Sequence, residues 1–368
     1  MTQARTPELS FEAAYAARRV LVTGHTGFKG SWLSLWLSDI GAEVHGISLA
    51  PDTTPNLYDD VGLGSLVNHN IQDVRDRDGL TRLVAEINPE IVFHLAAQPL
   101  VRRSYDLPLD TFETNIMGTA YLLESCRRVT GVKAIVCVTT DKVYENNEWV
   151  WAYRERDRLG GKDPYSASKA AAEIVVASYR DSFMSNDQGP ALATARGGNV
   201  VGGGDWSDDR LVPDLVRAIG SDRELNVRNP NASRPWQHVL SLCHGYLQLA
   251  DRLIADPASH VGAWNFGPDE GGTVSVQALL NRFERAWKLP QIVLGAARDK
   301  PESQALAIDS AKARQKLGWL PAWNLEETLT QTAEWYREYY LSPTSALDLT
   351  RSQTQAYRDV LASRNEDN

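Results

Sequence analysis

A chain of 368 residues is long enough for a large core and for two domains. With 43% hydrophobic and 23% charged residues and a net charge of -9, it has the balance of a soluble globular enzyme and lacks the basic surface of a general nucleic-acid binder. No apolar run approaches the roughly 18 residues of a membrane span, the polar first 18 residues read as neither signal peptide nor anchor, and Cys126, Cys137 and Cys243 are spaced as buried free thiols of a reducing, cytoplasmic compartment.

Residues 20–37 carry the first pattern. The aliphatic run Val20-Leu21-Val22 ends in a turn with Gly24, Gly27 and Gly30, and apolar residues at helical spacing follow. Strand, glycine turn and helix in that order predict a dinucleotide site. Gly24 permits the tight turn, Gly27 lets a pyrophosphate approach the backbone, and Gly30 lets the helix pack on the strand. The helix N-terminus then offers N–H groups and the positive end of its dipole. A second strand is expected over 43–49. The acidic residue often found at its end is missing: Ser48 stands there, with Asp52 beyond it. The choice between NAD and NADP therefore does not follow from this strand.

Further along, Asp73 and Val74 are placed to meet an adenine ring, through a carboxylate and a backbone respectively. A helix over 80–87 ends at Asn88-Pro89, and a buried strand over 91–95 runs into Leu95, Ala96, Ala97 and Gln98, where small residues let the backbone approach a cofactor ribose. A helix over 110–128 contains Asn115, a poor helix former that implies a task or a buried partner. The strand over 134–139 ends in Thr139, Thr140, Asp141 and Lys142, at the end where parallel sheets carry ligands. A Trp-rich loop over 145–163 leads to a helix over 165–180, then a strand over 191–196 and glycine-rich loops. The helix over 239–254 is expected to return to the first domain.

The chain is thus expected to be α/β: a doubly wound Rossmann sheet over 18–196 with 237–262 returning to it, and a smaller, interleaved substrate domain from 197–236 and 263–345. A C-terminal helix and tail take 346–368. Tyr165 and Lys169 are four apart and share a helix face. A nearby ammonium and a cationic nicotinamide favour the phenolate, so Tyr165 is a candidate base for a hydroxyl proton, with Thr140 sharing that hydroxyl. Asp141 adds an acid, of use to a dehydration that expels a C6 hydroxyl. The seven histidines show no His-x-x-x-His spacing or pairing with cysteine, so no metal site is expected. The Trp residues at 149, 151, 206 and 236 read more safely as core than as platforms for a sugar or base.

The glycine spacing resembles the extended, sugar-nucleotide-modifying branch of the short-chain dehydrogenase/reductase superfamily. Thr140-Asp141-Lys142 differs from the Thr-Asp-Glu of most sugar-nucleotide 4,6-dehydratases. It is similar to the branch of these dehydratases that acts on CDP-glucose. Gly24 to Leu33, Thr139 to Tyr144, Glu148 to Trp151, Asp163 to Ser166, Arg196 to Val200, Gly202 to Trp206 and Arg234 to Val239 carry the likeness; Ala152 and Lys162 depart from it. The resemblance implies NAD, with Thr26, Phe28, Lys29, Thr139, Tyr165 and Lys169 joining the cofactor contacts. It implies that Asn199, Arg210, Arg234 and Asn265 meet a CDP-glucose substrate, that the product supplies deoxysugar for lipopolysaccharide O-antigen, and that helices 110–128 and 165–180 pair in a homodimer or a dimer of dimers. A 4-epimerase and a non-catalytic NAD(P)-sensing regulator are the rival readings. Asp141 argues against the first; Thr140, Tyr165 and Lys169 argue against the second.

Overall fold

The computed structural model describes residues 9–184, 189–269, 271–295 and 303–366. Its strands are β1 (Arg19–Thr23), β2 (Glu43–Ser48), β3 (Asn68–Ile71), β4 (Ile91–His94), β5 (Ala134–Val138), β6 (Ala191–Gly197), β7 (Asn199–Val201), β8 (Leu225–Val227), β9 (Ser233–His238), β10 (Gly262–Phe266), β11 (Thr273–Ser275) and β12 (Ile292–Leu294). Seven of them form one parallel sheet in the order β10-β6-β5-β4-β1-β2-β3. The order reverses between β1 and β4, the topological switch point where doubly wound sheets bind ligands.

Both faces of the sheet centre are covered, so β1, β4, β5 and β6 are buried nearly throughout rather than alternating, whereas the edge strand β3 is polar and exposed. Val20, Val22, Ile91, Phe93, Val136 and Ala193 join one core, with the helices Phe28–Asp39 and Val239–Ala255. Their neighbours Leu21, Val92, Ile135 and Leu192 join the other, with Arg77–Ile87, Gly118–Cys126 and Pro164–Phe183. The strand period of two deals successive residues to opposite faces. The three thiols are buried and free.

The chain leaves the large sheet after β6 to lay down β7, β8 and β9, returns for Val239–Ala255 and β10, and then leaves again for β11 and β12, which complete the small sheet β11-β9-β7 and the pair β12-β8. The returning segment, expected over 237–262, thus also brings the edge strand Gly262–Phe266. The C-terminal helix Ala346–Glu366 is tied back to the start of the chain. Buried Glu12 accepts from Arg358 Nε and Nη2 at 2.8 and 2.7 Å and from Trp36 Nε1 at 2.9 Å.

The helix expected over 110–128 is built from Pro108–Phe112, a π-turn at Glu113–Met117 and Gly118–Cys126. The wider turn carries Asn115, and such turns often mark functional positions. Beneath it lies a directed relay. The Thr119 hydroxyl donates to the Asn115 carbonyl (2.7 Å), so it accepts from His94 Nε2 (3.0 Å), which leaves Nδ1 to accept from Thr23 (2.7 Å). Thr23 in turn accepts the Ala96 N–H at 3.3 Å and so steadies the end of β4.

Burial drops the pKa of His94, His238 and His244 to about 3 and that of His25 to about 4. These values lie below the usual 6.5 of an unfolded chain. Between the two, only the unfolded state takes up protons, so stability is fully present above pH 6.5 and is lost as pH falls. At pH 5 unfolding should bind about four extra protons, a slope of about 5 kcal/mol per pH unit. Denaturant midpoints should therefore drop steadily from pH 7 to pH 5; midpoints flat over that range would refute the account.

Candidate active site

The three glycines of the turn differ in the space around them. Gly24 has φ +76°, and a Cβ there would lie 2.7 Å from the Ala96 nitrogen; at Gly30 it would collide with the Gly24 carbonyl at 2.0 Å. At Gly27 it would meet only the Gly24 oxygen, at 3.4 Å, so the space above that residue is open. The helix Phe28–Asp39 starts there with no side-chain cap and no acidic residue in its first turn. An uncapped positive helix end above an open glycine fits the pyrophosphate of a dinucleotide.

Around this turn several expected residues hold others in place. Thr26 donates to the Leu49 carbonyl (2.9 Å) and pairs with Ser48 Oγ (2.8 Å), so it fastens the end of β2. Asp73 is gripped by its neighbour Arg75, whose N, Nε and Nη2 donate to it at 2.9, 2.9 and 2.7 Å. Val74 is buried beneath Gly118. Asn115 accepts from Gln98 N (2.8 Å) and donates to Gln98 O (3.1 Å) and Ser168 Oγ (2.8 Å), thereby fixing the Ala96-Ala97-Gln98 segment after Leu95 to the catalytic helix. This is the buried partner that its poor helix propensity implied.

The chemistry gathers where β5 ends. Thr140 caps the short turn Asp141–Val143, accepting from Lys142 N at 3.3 Å, and donates to Asp141 Oδ1 at 2.9 Å. Asp141 is buried, and its Oδ2 has no hydrogen-bond partner. Facing this turn, the helix Pro164–Phe183 opens on Asp163, which accepts from Ser166 N at 2.9 Å, with Pro164 in its first position. That start puts buried Tyr165 against Thr140 and Asp141. Lys169, one turn on, donates to the Val138 carbonyl at 3.2 Å.

Burial pushes the Tyr165 phenol up to about 12, with Thr140's hydrogen bond and Arg210's charge opposing and Asp141 adding to the rise. The lowering charge is thus the Arg210 guanidinium rather than the expected ammonium, and it is outweighed in the protein alone because desolvation penalises the phenolate more. Lys169 is brought down to about 8 by burial and then by the like charge of Lys29, and Lys29 falls to about 8 by burial and then by Arg210.

A cavity of about 660 Å³ joins these groups, lined by Phe28, Lys29, Thr139 to Lys142, Tyr165, Asn199, Arg210 and Arg234. Its size is that of a small-molecule site. Arg210 donates to Asp205 at 2.9 Å, and Arg234 donates to the carbonyls of Ser233 (2.8 Å), Gln304 (3.3 Å) and Ser303.

Asn265 departs from expectation. It is fully buried on β10 and outside the cavity lining. Its amide is spent on Tyr144 Oη (2.7 Å) and the carbonyls of Tyr153 (2.9 Å) and Asp309 (3.0 Å), so its work is structural and it has no group left for a phosphate. Trp206 and Trp236 are core, whereas Trp149 and Trp151 are 41% and 69% exposed, stacked edge to face on the loop surface. His238 is core, wedged between Trp32 and Trp323. Among the described residues no cluster of His, Cys, Asp and Glu is placed to hold a metal.

Sequence reasoning missed the support beneath the site. Glu173 Oε1 accepts from Thr139 (2.6 Å) and Arg196 Nε (2.9 Å), and its Oε2 from Thr194 and Arg196 Nη2 (both 2.8 Å). Arg196 Nη1 continues to Tyr144 Oη at 2.8 Å. The only signal was spacing: Glu173 stands four residues after Lys169 on one helix face.

Comparison with known proteins agrees with this geometry. A family model described as GDP-mannose 4,6 dehydratase matches residues 21–332. The CDP-glucose 4,6-dehydratase of Salmonella typhimurium is 45% identical over 330 residues, covering 88% of this chain and 92% of that protein. The UDP-glucose 4-epimerase of Thermotoga maritima, solved with UDP-glucose, superposes with a TM-score of 0.75 at 26% identity, covering 87% of this chain and 99% of its own. The Thermus thermophilus UDP-glucose 4-epimerase, solved with NAD, gives the same TM-score, identity and coverages. Matched along most of its length in sequence and in fold, the chain belongs to the GDP-mannose 4,6-dehydratase family, within the extended short-chain dehydrogenase/reductases.

Proposed function

We propose that this chain is a NAD-dependent sugar-nucleotide 4,6-dehydratase that converts CDP-glucose to CDP-4-keto-6-deoxyglucose and water. One observation carries the dehydratase reading: the buried Asp141 carboxyl, with one oxygen held by Thr140 and the other without a partner, beside Tyr165 in the same cavity. A 4-epimerase has use for Thr140, Tyr165 and Lys169 but none for an acid at this point. Cytosine as the base is supported by the 45% identical relative.

The uncapped start of Phe28–Asp39 and the open Gly27 would hold the cofactor's pyrophosphate, with Leu95 to Gln98 along its ribose and Asp73 and Val74 toward its adenine. Bound NAD would supply the hydride acceptor for C4 and the hydride donor for C6. Tyr165 removes the C4 hydroxyl proton, while Thr140 orients that hydroxyl and Lys169 lends positive charge behind it. The ketone acidifies the C5 hydrogen, and Lys142, on the cavity wall, acts at that step. Asp141 delivers a proton to the leaving C6 hydroxyl through its unpartnered oxygen. Asn199, Arg210 and Arg234 hold the diphosphate, for which guanidinium groups are well shaped.

The exposed Leu109 (80%) and Ile174 (61%), with Met117 and Phe183, leave apolar side chains outward on the two helices that flank the site. This supports a homodimer packed through those helices, the same patch meeting itself about a two-fold axis. No helix among the described residues is long and apolar enough to cross a membrane. A cytoplasmic enzyme supplying deoxysugar for surface polysaccharide fits these features.

Four outcomes check this reading. Tyr165→Phe should fold and bind nucleotide, with turnover down by about 10²–10⁴; near-normal turnover would remove Tyr165 from its role. Asp141→Asn should still oxidise C4, so bound NADH appears by absorbance in a single turnover and then persists, whereas no NADH would assign Asp141 to oxidation or binding; in the same assay Lys142→Met should slow deuterium entry at C5 from heavy water, and wild-type exchange would exclude Lys142 from that step. Sedimentation at working concentration should give a dimer or a multiple of it, and an active monomer would refute the assembly.

A further inference from the structure

The cavity holds a second polar group for which the dehydration has no use. Asp209 precedes the helix Leu211–Gly220 with φ +60°. Its Oδ1 accepts from Arg228 Nη1 at 2.8 Å and lies 3.3 Å from Arg102 Nε, while Arg228 Nη2 donates to the Asp209 carbonyl at 3.4 Å. All three residues line the cavity. Arg102 comes from the helix Val101–Asp106 that follows β4, and Arg228 from the end of β8, so the cluster links opposite walls.

The segments around Asp209 and Arg228 also bring apolar side chains to the lining, beside Asn226 and Asn229. Val212 and Pro213 in the first turn of Leu211–Gly220, Val227 of β8, Ala232 and Val276 supply them. A planar heterocycle needs apolar surface against its faces and polar groups at its edge. With the hexose at Thr140 and Tyr165 and the diphosphate at Arg210 and Arg234, the base falls in this slot.

We propose that Asp209 and Arg228 read the edge of the nucleobase and select cytosine over uracil and thymine, an inference that rests on the nucleotide-sugar reading above. Cytosine presents an amino donor at position 4 beside acceptors at N3 and O2. A carboxylate oxygen accepts from the amine, and the adjacent guanidinium donates to N3. Uracil and thymine reverse both partners: O4 faces the carboxylate, and N3 carries a hydrogen toward the guanidinium. Asp209 is half exposed until the base covers it, and a site of paired donors and acceptors then rejects such an analogue because the covered polar groups are left opposed. Arg228 alone would not discriminate, since a guanidinium also donates to O2 and O4; the carboxylate beside it supplies the rejection.

The test is Asp209→Asn, a residue that suits positive φ and whose amide turns to offer either a donor or an acceptor. Specificity is read as the ratio of kcat/KM for CDP-glucose over UDP-glucose, and separately as the ratio of dissociation constants for CDP and UDP on the NAD-loaded protein, which needs no turnover. Wild type should favour the cytosine member in both. The variant should narrow both ratios by at least about tenfold, with the loss on CDP-glucose falling on KM rather than kcat. Ratios within about twofold of wild type in a folded variant would overturn the proposal, as would a wild type indifferent to the base. If Asp209→Asn does not fold, Asp209→Gly, which removes the carboxylate and suits the same positive φ, is measured in the same way and is held to the same outcomes. A wild type that binds CDP over UDP but dehydrates no sugar nucleotide would defeat the proposed function and leave this assignment supported.

Discussion

The site depends on one buried ion pair. Glu173 and Arg196 are nearly sealed from solvent, and taking two charges out of water is costly unless every lone pair and proton finds a partner. Here each carboxylate oxygen accepts twice, and the guanidinium is shared with Tyr144 and the Glu155 carbonyl. The donors come from β5 and β6, and the acceptor from the helix that bears Tyr165 and Lys169. Because those residues share a face with Glu173 at spacings of four, seating the carboxylate sets the rotation of the whole helix. Through Tyr144 and Asn265 the same network reaches β10 and the loop beyond the catalytic turn.

This explains how one fold serves epimerases and a dehydratase. In the mechanism proposed above, Thr140, Tyr165 and Lys169 serve the oxidation and are positioned by the sheet and by the ion pair under it. The group that mechanism assigns to dehydration, Asp141, needs no new element, because it is the next residue in the same short turn and borrows its orientation from the Thr140 hydroxyl. A change of reaction then requires only side chains on an existing turn, which agrees with the strong structural likeness to epimerases at 26% identity.

What was legible in the sequence was local. The glycine turn, the strand ends and the Tyr165–Lys169 spacing each lie within a few consecutive residues, and each took the expected form. What was illegible depends on partners far along the chain. Asn265 looked like a ligand for phosphate, yet its partners Tyr144 and Tyr153 stand more than 100 residues away, and nothing near Asn265 announces them. The His94 relay joins Thr23 to Thr119 across the sheet, and only the fold brings them together. Trp149 and Trp151 misled because hydrophobicity by itself predicts burial, whereas their loop leaves the body of the protein. Tyr165 misled in degree: its neighbours were foreseen, but the depth of its burial, which sets its proton affinity, belongs to tertiary structure.

The return of the chain to place β10 at the sheet edge sets an order on biosynthesis. Until Phe266 has left the ribosome, β6 has no neighbour on its outer side, and the backbone of Ala193 to Gly197 stands unpaired beside apolar side chains. A nascent chain must therefore make β7 to β9 of the smaller region and the helix Val239–Ala255 while carrying a bare strand, the kind of edge that recruits other chains. The large sheet cannot close before this first part of the smaller region is translated. Any fragment that stops between β6 and β10 carries the complete cofactor turn and catalytic turn on a sheet that is still open to aggregation.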